Sequence, residues 1–169
     1  MGELMSGKVP VGAPFALPDA AGRMRSLEEF RGKLVLLYFG YTGCPDVCPT
    51  DLAFIAAALR SLGKEADAVQ PVFVTLDPSR DTPEVLREYA AAFDARFVAL
   101  RGGEDETRQL ARTWKVFYEK VPQAGGAYFI DHMAFTFVLD RRGRYTALFP
   151  PGTPADRMAV MLRELLEAP

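Results

Sequence analysis

The stretch Lys33-Leu34-Val35-Leu36-Leu37-Tyr38-Phe39-Gly40-Tyr41-Thr42-Gly43-Cys44-Pro45-Asp46-Val47-Cys48-Pro49-Thr50-Asp51 decides how this chain folds. Lys33 to Phe39 reads as a continuous, largely apolar strand, the kind buried on both faces of a sheet. The far end opens a helix. Pro49 fits the first helical position, where its missing N–H costs nothing. Leu52, Ile55, Leu59 and Leu62 then share one face, and Gly63 stops the helix. Between strand and helix lie the only two cysteines of the protein. A residue before proline is pushed toward extended backbone. That puts Cys44 on the loop and Cys48 at or beside the helix N-cap.

Upstream of this stretch, residues 1–14 read as an irregular lead-in, and residues 15–169 as a single domain. Phe15 to Leu17 and Met24 to Ser26 flank Asp19-Ala20-Ala21-Gly22, which predicts a short hairpin. Ser26 with Glu29 predicts a capping box over Leu27 to Phe30. Downstream, Val69 to Leu76 reads as a second strand closed by Asp77-Pro78, and Thr82-Pro83 opens a helix carrying Leu86, Tyr89, Ala90 and Phe93. Arg96 to Leu100 is a third, short strand. Glu104 to Trp114 is a helix, Val116 to Val121 is extended, and Pro122 to Gly126 is a loop. Ala134 to Leu139 and Tyr145 to Phe149 form a hairpin around Asp140-Arg141-Arg142-Gly143. A last helix follows Thr153-Pro154, with Met158, Met161, Leu162 and Leu165 facing inward. Strands alternating with helices give an α/β protein with a mixed central β-sheet flanked by helices, and with N-terminal and C-terminal β-hairpins.

The composition narrows the function classes. A net charge of −2 leaves no global basic footprint for nucleic acid. No apolar run approaches the ~18 residues of a membrane helix. Met1 to Pro10 lacks the charged-then-apolar layout of a signal peptide. The chain is therefore either cytosolic or a soluble domain freed from its export segment. Two cysteines are too few to staple a fold of 169 residues, so their pairing is functional rather than structural.

Cys44 and Cys48 stand four positions apart. Four helical residues rise about 6 Å, near the upper end of what a disulfide spans, and a looped segment comes closer. The pair can oxidise, or present two thiolates to one metal ion. At a helix start the Cys48 thiolate is favoured by unsatisfied N–H groups. The plain alternative is two buried structural cysteines. The only histidine, His132, lies in Tyr128-Phe129-Ile130-Asp131-His132-Met133, at the entry to the closing hairpin. Alone it reads as a core residue; with the cysteines it completes a set that suits Cu(I) and approaches Cu(II) ligation. A structural zinc would want a fourth ligand, which Asp131 or Asp77 could supply. Asp77 serves equally well as a turn residue. Met133 reads first as a core-packing residue, with a thioether neighbour of the metal as the alternative. Arg141, Arg142 and Arg144 read as solvated turn charges.

Three segments together carry a family resemblance: Tyr38 to Thr42 leading into Cys44-Pro45-Asp46-Val47-Cys48-Pro49-Thr50; Phe73-Val74-Thr75-Leu76-Asp77-Pro78-Ser79-Arg80-Asp81-Thr82-Pro83; and Asp131-His132. In order and spacing they resemble the Sco/SenC copper-binding assembly factors of cytochrome c oxidase. The resemblance implies a thioredoxin-like fold and copper, as Cu(I) or Cu(II), held by Cys44, Cys48 and His132. Asp77 and Asp131 are then neighbours of the ligands. It implies a metallochaperone that delivers copper to the CuA centre of oxidase subunit II. The alternative is a thiol–disulfide reductase, with Cys44 and Cys48 as its redox-active pair, that keeps the CuA cysteines reduced. Another copper chaperone or a thioredoxin-like reductant would be a further partner. Members of the family are exported and tethered, so the chain is expected to be the soluble domain of a bacterial periplasmic protein anchored to the inner membrane through a missing N-terminal segment.

Overall fold

The computed structural model describes residues 11–43, 47–132 and 135–167, the side chains of Val47, Cys48 and Asp131 excepted. In chain order the elements are β1 (Ala16–Pro18), β2 (Met24–Ser26), a 3-10 turn (Leu27–Phe30), β3 (Leu34–Gly40), α1 (Val47–Leu62), a second 3-10 segment (Gly63–Ala68) and β4 (Val69–Thr75). Then come α2 (Pro83–Phe93), β5 (Val98–Leu100), α3 (Glu104–Thr113), β6 (Tyr118–Pro122), a short turn (Ala124–Gly126), β7 (Tyr128–His132), β8 (Thr136–Leu139), β9 (Tyr145–Phe149) and α4 (Ala155–Glu167).

Strand β3 is the centre of a five-stranded sheet ordered β5-β4-β3-β8-β9. It runs parallel to β4 and antiparallel to β8, so the sheet is mixed as expected. All seven β3 residues are buried. Alternate side chains point to opposite faces of a strand. Leu34, Leu36 and Tyr38 accordingly enter a core with Leu52, Ile55 and Leu59 of α1, Leu86 of α2 and Met158 and Leu162 of α4. Val35, Leu37 and Phe39 enter a second core with Leu17, Phe30, Leu110, Trp114 and Phe137. The β1–β2 hairpin closes that second side, its tip bridged to the sheet at Asp19 and Leu100. Burial opposes ionisation of Asp19, but the Arg23 and Ala21 amides and the Arg25 guanidinium outweigh it and hold the carboxyl below its ordinary pKa.

Three expectations need correction. Ser26 precedes the 3-10 turn but makes no side-chain cap bond. Its intended partner, Glu29, pairs instead with Arg25 across the tight turn. Helix α1 begins at Val47, two residues before Pro49. The first four helical N–H groups all lack a partner, so proline is tolerated at the third position as at the first. Finally, residues 118–132 form a hairpin of their own, β6 with β7, in a two-stranded sheet apart from the main one. Gly125 and Gly126, at φ +79° and +82°, let the chain reverse between them. His132 is therefore the last residue of β7 rather than the entry to the β8–β9 hairpin. Met133 and Ala134 lie outside the described residues, as do residues 1–10 of the lead-in.

The capping contrast is measurable. The Thr82 hydroxyl caps α2 by accepting from the Val85 amide at 3.3 Å. Thr82→Ala should cost about 1 kcal/mol. Ser26→Ala, with no such bond to lose, should stay within about 0.5 kcal/mol. Urea unfolding midpoints of the two variants read the difference.

Candidate functional site

Because β3 and β4 are parallel, their carboxyl ends open on the same edge of the sheet, where sites of α/β sheets form. From Gly40 the chain passes through Tyr41, Thr42 and Gly43 to Cys44. From Thr75 it enters the Asp77-Pro78-Ser79-Arg80-Asp81 turn. Buried Asp81 ties the two loops together. It accepts from the Thr42 amide at 3.1 Å, the Thr42 hydroxyl at 2.6 Å and the Thr75 hydroxyl at 2.6 Å. At the start of α1, buried Asp51 accepts from the Tyr38 hydroxyl at 3.1 Å and the Gly152 amide at 2.8 Å, fixing the helix to the sheet and to the loop before α4.

The hairpin that carries His132 meets this edge through side chains. The Tyr41 hydroxyl accepts the Ile130 amide at 3.1 Å, and the Tyr41 ring meets the His132 imidazole edge-on, centroids 5.6 Å apart at 78°. The Tyr128 hydroxyl donates to Asp77 at 2.8 Å and lies 3.2 Å from the Ser79 hydroxyl, which itself donates to Asp77 at 3.1 Å. Arg80 forms an ion pair with Asp77, donates to the Tyr128 carbonyl at 2.8 Å and stacks its guanidinium 3.6 Å from the Tyr128 ring centroid. Burial works against the Arg80 charge, but the hydrogen bond and negative charge of Asp77 raise its pKa above the ordinary arginine value.

His132 thus lies half-buried against Tyr41, three residues along the chain from Cys44. Cys44 falls outside the described residues, and so does the Cys48 side chain. The Cys48 backbone is the second residue of α1, inside the first helical turn. Asp131 precedes His132 on β7, opposite Glu119 in register. Asp77 is fully buried, and its side chain is committed to Ser79, Arg80 and Tyr128. Among the described residues no group of three or more His, Cys, Asp or Glu is gathered to hold a metal. The donor set in question is the two sulfurs and one imidazole, whose softness suits copper better than a harder cation.

Tyr41, Arg80, Asp81 and Tyr128 organise this edge, and the sequence reading assigned none of them a role. All four stood inside segments quoted from the sequence: Tyr41 beside the cysteine loop, Arg80 and Asp81 in the Asp77 segment, and Tyr128 before His132. The one usable signal was the double glycine between two extended runs, which marks a hairpin.

The SCO1/SenC family model matches residues 4–167. An SCO2-like protein of Rickettsia prowazekii is 42% identical over 144 residues, covering 84% of this chain and 70% of the relative. The structure of Bradyrhizobium japonicum ScoI with copper bound superposes with a TM-score of 0.85 at 37% identity, over 92% of this chain and 99% of that one. Apo Sco1 of Thermus thermophilus gives 0.83 at 41% identity, over 93% and 92% of the two chains. The fold is the thioredoxin-like one of these proteins.

Asp81→Ala should leave the Thr42 amide and two hydroxyls without their acceptor, at a cost of about 1–3 kcal/mol. Hydrogen exchange at Thr42 should accelerate with it. Unchanged protection of that amide would detach Asp81 from the geometry of the cysteine loop.

Proposed function

This chain belongs to the SCO1/SenC family, and from that premise we propose that it is a metallochaperone that holds copper through Cys44, Cys48 and His132 and delivers it to the CuA centre of cytochrome c oxidase subunit II. The observation that carries the reading is the contact of His132 with Tyr41, at the sheet edge from which the cysteine loop departs. The fold brings a residue more than eighty positions downstream to the root of that loop. A histidine serving only as core filler has no need of that address.

The roles follow from donor chemistry. Cys44 and Cys48 supply thiolates, which favour Cu(I); the His132 imidazole adds a nitrogen that also suits Cu(II). Copper is the cargo. Thiolates of an acceptor site displace the protein's donors one after another, so the metal passes between proteins without being released. Asp77 and Asp131 flank the ligands; Asp77 acts through Tyr128 and Arg80.

A second reading rests on the helix start. Cys48 lies in the first turn of α1, where free N–H groups and the helix dipole stabilise a thiolate. A thiolate of the pair attacks the partner's disulfide and forms a mixed disulfide. The other cysteine then displaces the partner's thiol, leaving the partner with two thiols and Cys44 joined to Cys48. A thioredoxin-like reductant resets the pair. In this role the protein prepares the CuA cysteines for metal rather than carrying it. For both readings we place the protein in the bacterial periplasm, tethered to the inner membrane by a segment preceding this domain. Among the described residues no helix is long and apolar enough to cross a membrane.

His132→Ala should weaken copper binding by more than the ~10–100-fold typical of losing an outer-shell partner, with the fold retained. Chelator competition and circular dichroism measure both. An unchanged affinity removes His132 from the ligand set. Two incubations separate the two readings: the copper-loaded protein with a reduced apo CuA domain, and the metal-free dithiol protein with the same domain in its disulfide form. Transfer of copper supports the chaperone; failure to transfer, with efficient reduction of that domain's disulfide, supports the reductase.

A further inference from the structure

Among the described residues the β6–β7 hairpin shares no ladder with the five-stranded sheet. An isolated two-stranded hairpin is marginally stable in water. Its seat on the body therefore depends on side chains, and the contacts are specific. Tyr128, Ile130 and His132 are alternate residues of β7 and so lie on one face of it. Each is held from the body. Tyr128 is held by Asp77 and Arg80, the Ile130 amide by the Tyr41 hydroxyl, and the His132 ring by the edge of Tyr41.

We propose that Arg80 is a positioning residue for the metal site: by gripping Tyr128 it docks the strand ending in His132 against Tyr41, and so sets where the imidazole stands relative to the cysteine loop. The proposal rests on the reading of His132 as a ligand. Arg80 makes four contacts, and a planar guanidinium is suited to making them together. It pairs with Asp77 on its own turn, donates to the Tyr128 main chain across the gap, sits over the Tyr128 ring and stands 5.9 Å from the Tyr41 ring centroid. A second cation, Lys120, stands 5.3 Å from the same ring, but it belongs to β6 and travels with the hairpin. Lys120 also reaches the body, at Glu104 of α3 3.4 Å away, but both of those side chains are solvent-exposed, whereas Arg80 pairs with the fully buried Asp77.

The neighbouring residue completes the argument. Asp81 binds Thr42 and thereby the root of the cysteine loop, while Arg80 binds the histidine hairpin. Consecutive residues of one turn thus hold the two halves of the site, Arg80 the hairpin directly and the loop root only through its 5.9 Å approach to the Tyr41 ring. Loss of Arg80 should disturb the imidazole half and spare the thiol half.

The test uses the whole chain, first without metal. Its single histidine makes the imidazole resonances unambiguous in proton NMR. In Arg80→Ala the His132 ring protons should lose the Tyr41 ring-current shift, and the Ile130 amide should exchange at least ~10-fold faster. Copper affinity should fall ~10–100-fold, while the reduction potential of the Cys44–Cys48 pair stays at its wild-type value. Arg80→Lys keeps the charge beside Asp77 and should move the same signals less; it also stands in if the alanine variant does not fold. In a His132→Ala background, Arg80→Ala should cost no further copper affinity. Wild-type His132 shifts and Ile130 exchange in a folded Arg80 variant overturn the proposal. So does a loss of copper affinity that persists without His132. If His132→Ala alone leaves copper binding intact, the ligand reading fails instead, and the metal-free signals still report whether Arg80 docks the hairpin.

Discussion

Burial of β3 on both faces is the constraint from which the rest of the molecule follows. Each Leu, Val or Phe removed from water contributes roughly 1.5–3 kcal/mol. No residue of β3 is left exposed, so both faces must be covered. One side receives α1, α2 and α4, the other α3 with the N-terminal hairpin. A strand held this way has a rigid carboxyl end. The cysteine loop begins there, anchored before it starts by Tyr41, Thr42 and the helix-fixing Asp51.

Rigidity at that edge requires buried polar groups, and buried polar groups are costly unless each is satisfied. Asp77 and Asp81 are as buried as the surrounding leucines. Asp81 receives three donors, and Asp77 receives Ser79, Arg80 and Tyr128. Removing either acid would strand several donors at once, so the turn acts as a bracket rather than as a flexible connection. It reaches from the end of β4 to the root of the cysteine loop on one side and to the histidine hairpin on the other.

Much of this was legible in the sequence, for identifiable reasons. The β3 run, the helical spacing of Leu52, Ile55, Leu59 and Leu62, the Thr82-Pro83 helix start and the Asp140–Gly143 turn are local patterns, and each produced the element it predicts. Ser26 and Glu29 satisfied a capping pattern, yet Arg25 took the glutamate, because a 3-10 turn offers a different geometry from an α-helix. The β6–β7 hairpin was missed because Tyr118-Glu119-Lys120-Val121 alternates weakly and carries two charges. Its stability comes from burial of Ile130 in the core and from contacts with Tyr41, Arg80, Asp77 and Glu104, and no local window shows that. For the site, Cys44, Cys48, His132 and Asp77 could be nominated from residue type and motif. The tyrosines could not, since Tyr41 and Tyr128 matter through contacts spanning tens of residues of chain.

The site's division of labour bears on how a tightly held metal could be handed on. On the proposed reading the two thiols belong to the segment that joins the end of β3 to the first turn of α1. The imidazole stands on a small hairpin joined to the body by a few side-chain contacts. A site held uniformly rigidly would have to yield all its donors together. One whose third donor sits on a separately docked element can give up that donor first, leaving two thiolates open to exchange with an incoming pair. The Arg80–Tyr128 contact is then the point at which holding and handing over are balanced, because it fixes how firmly the imidazole half is attached.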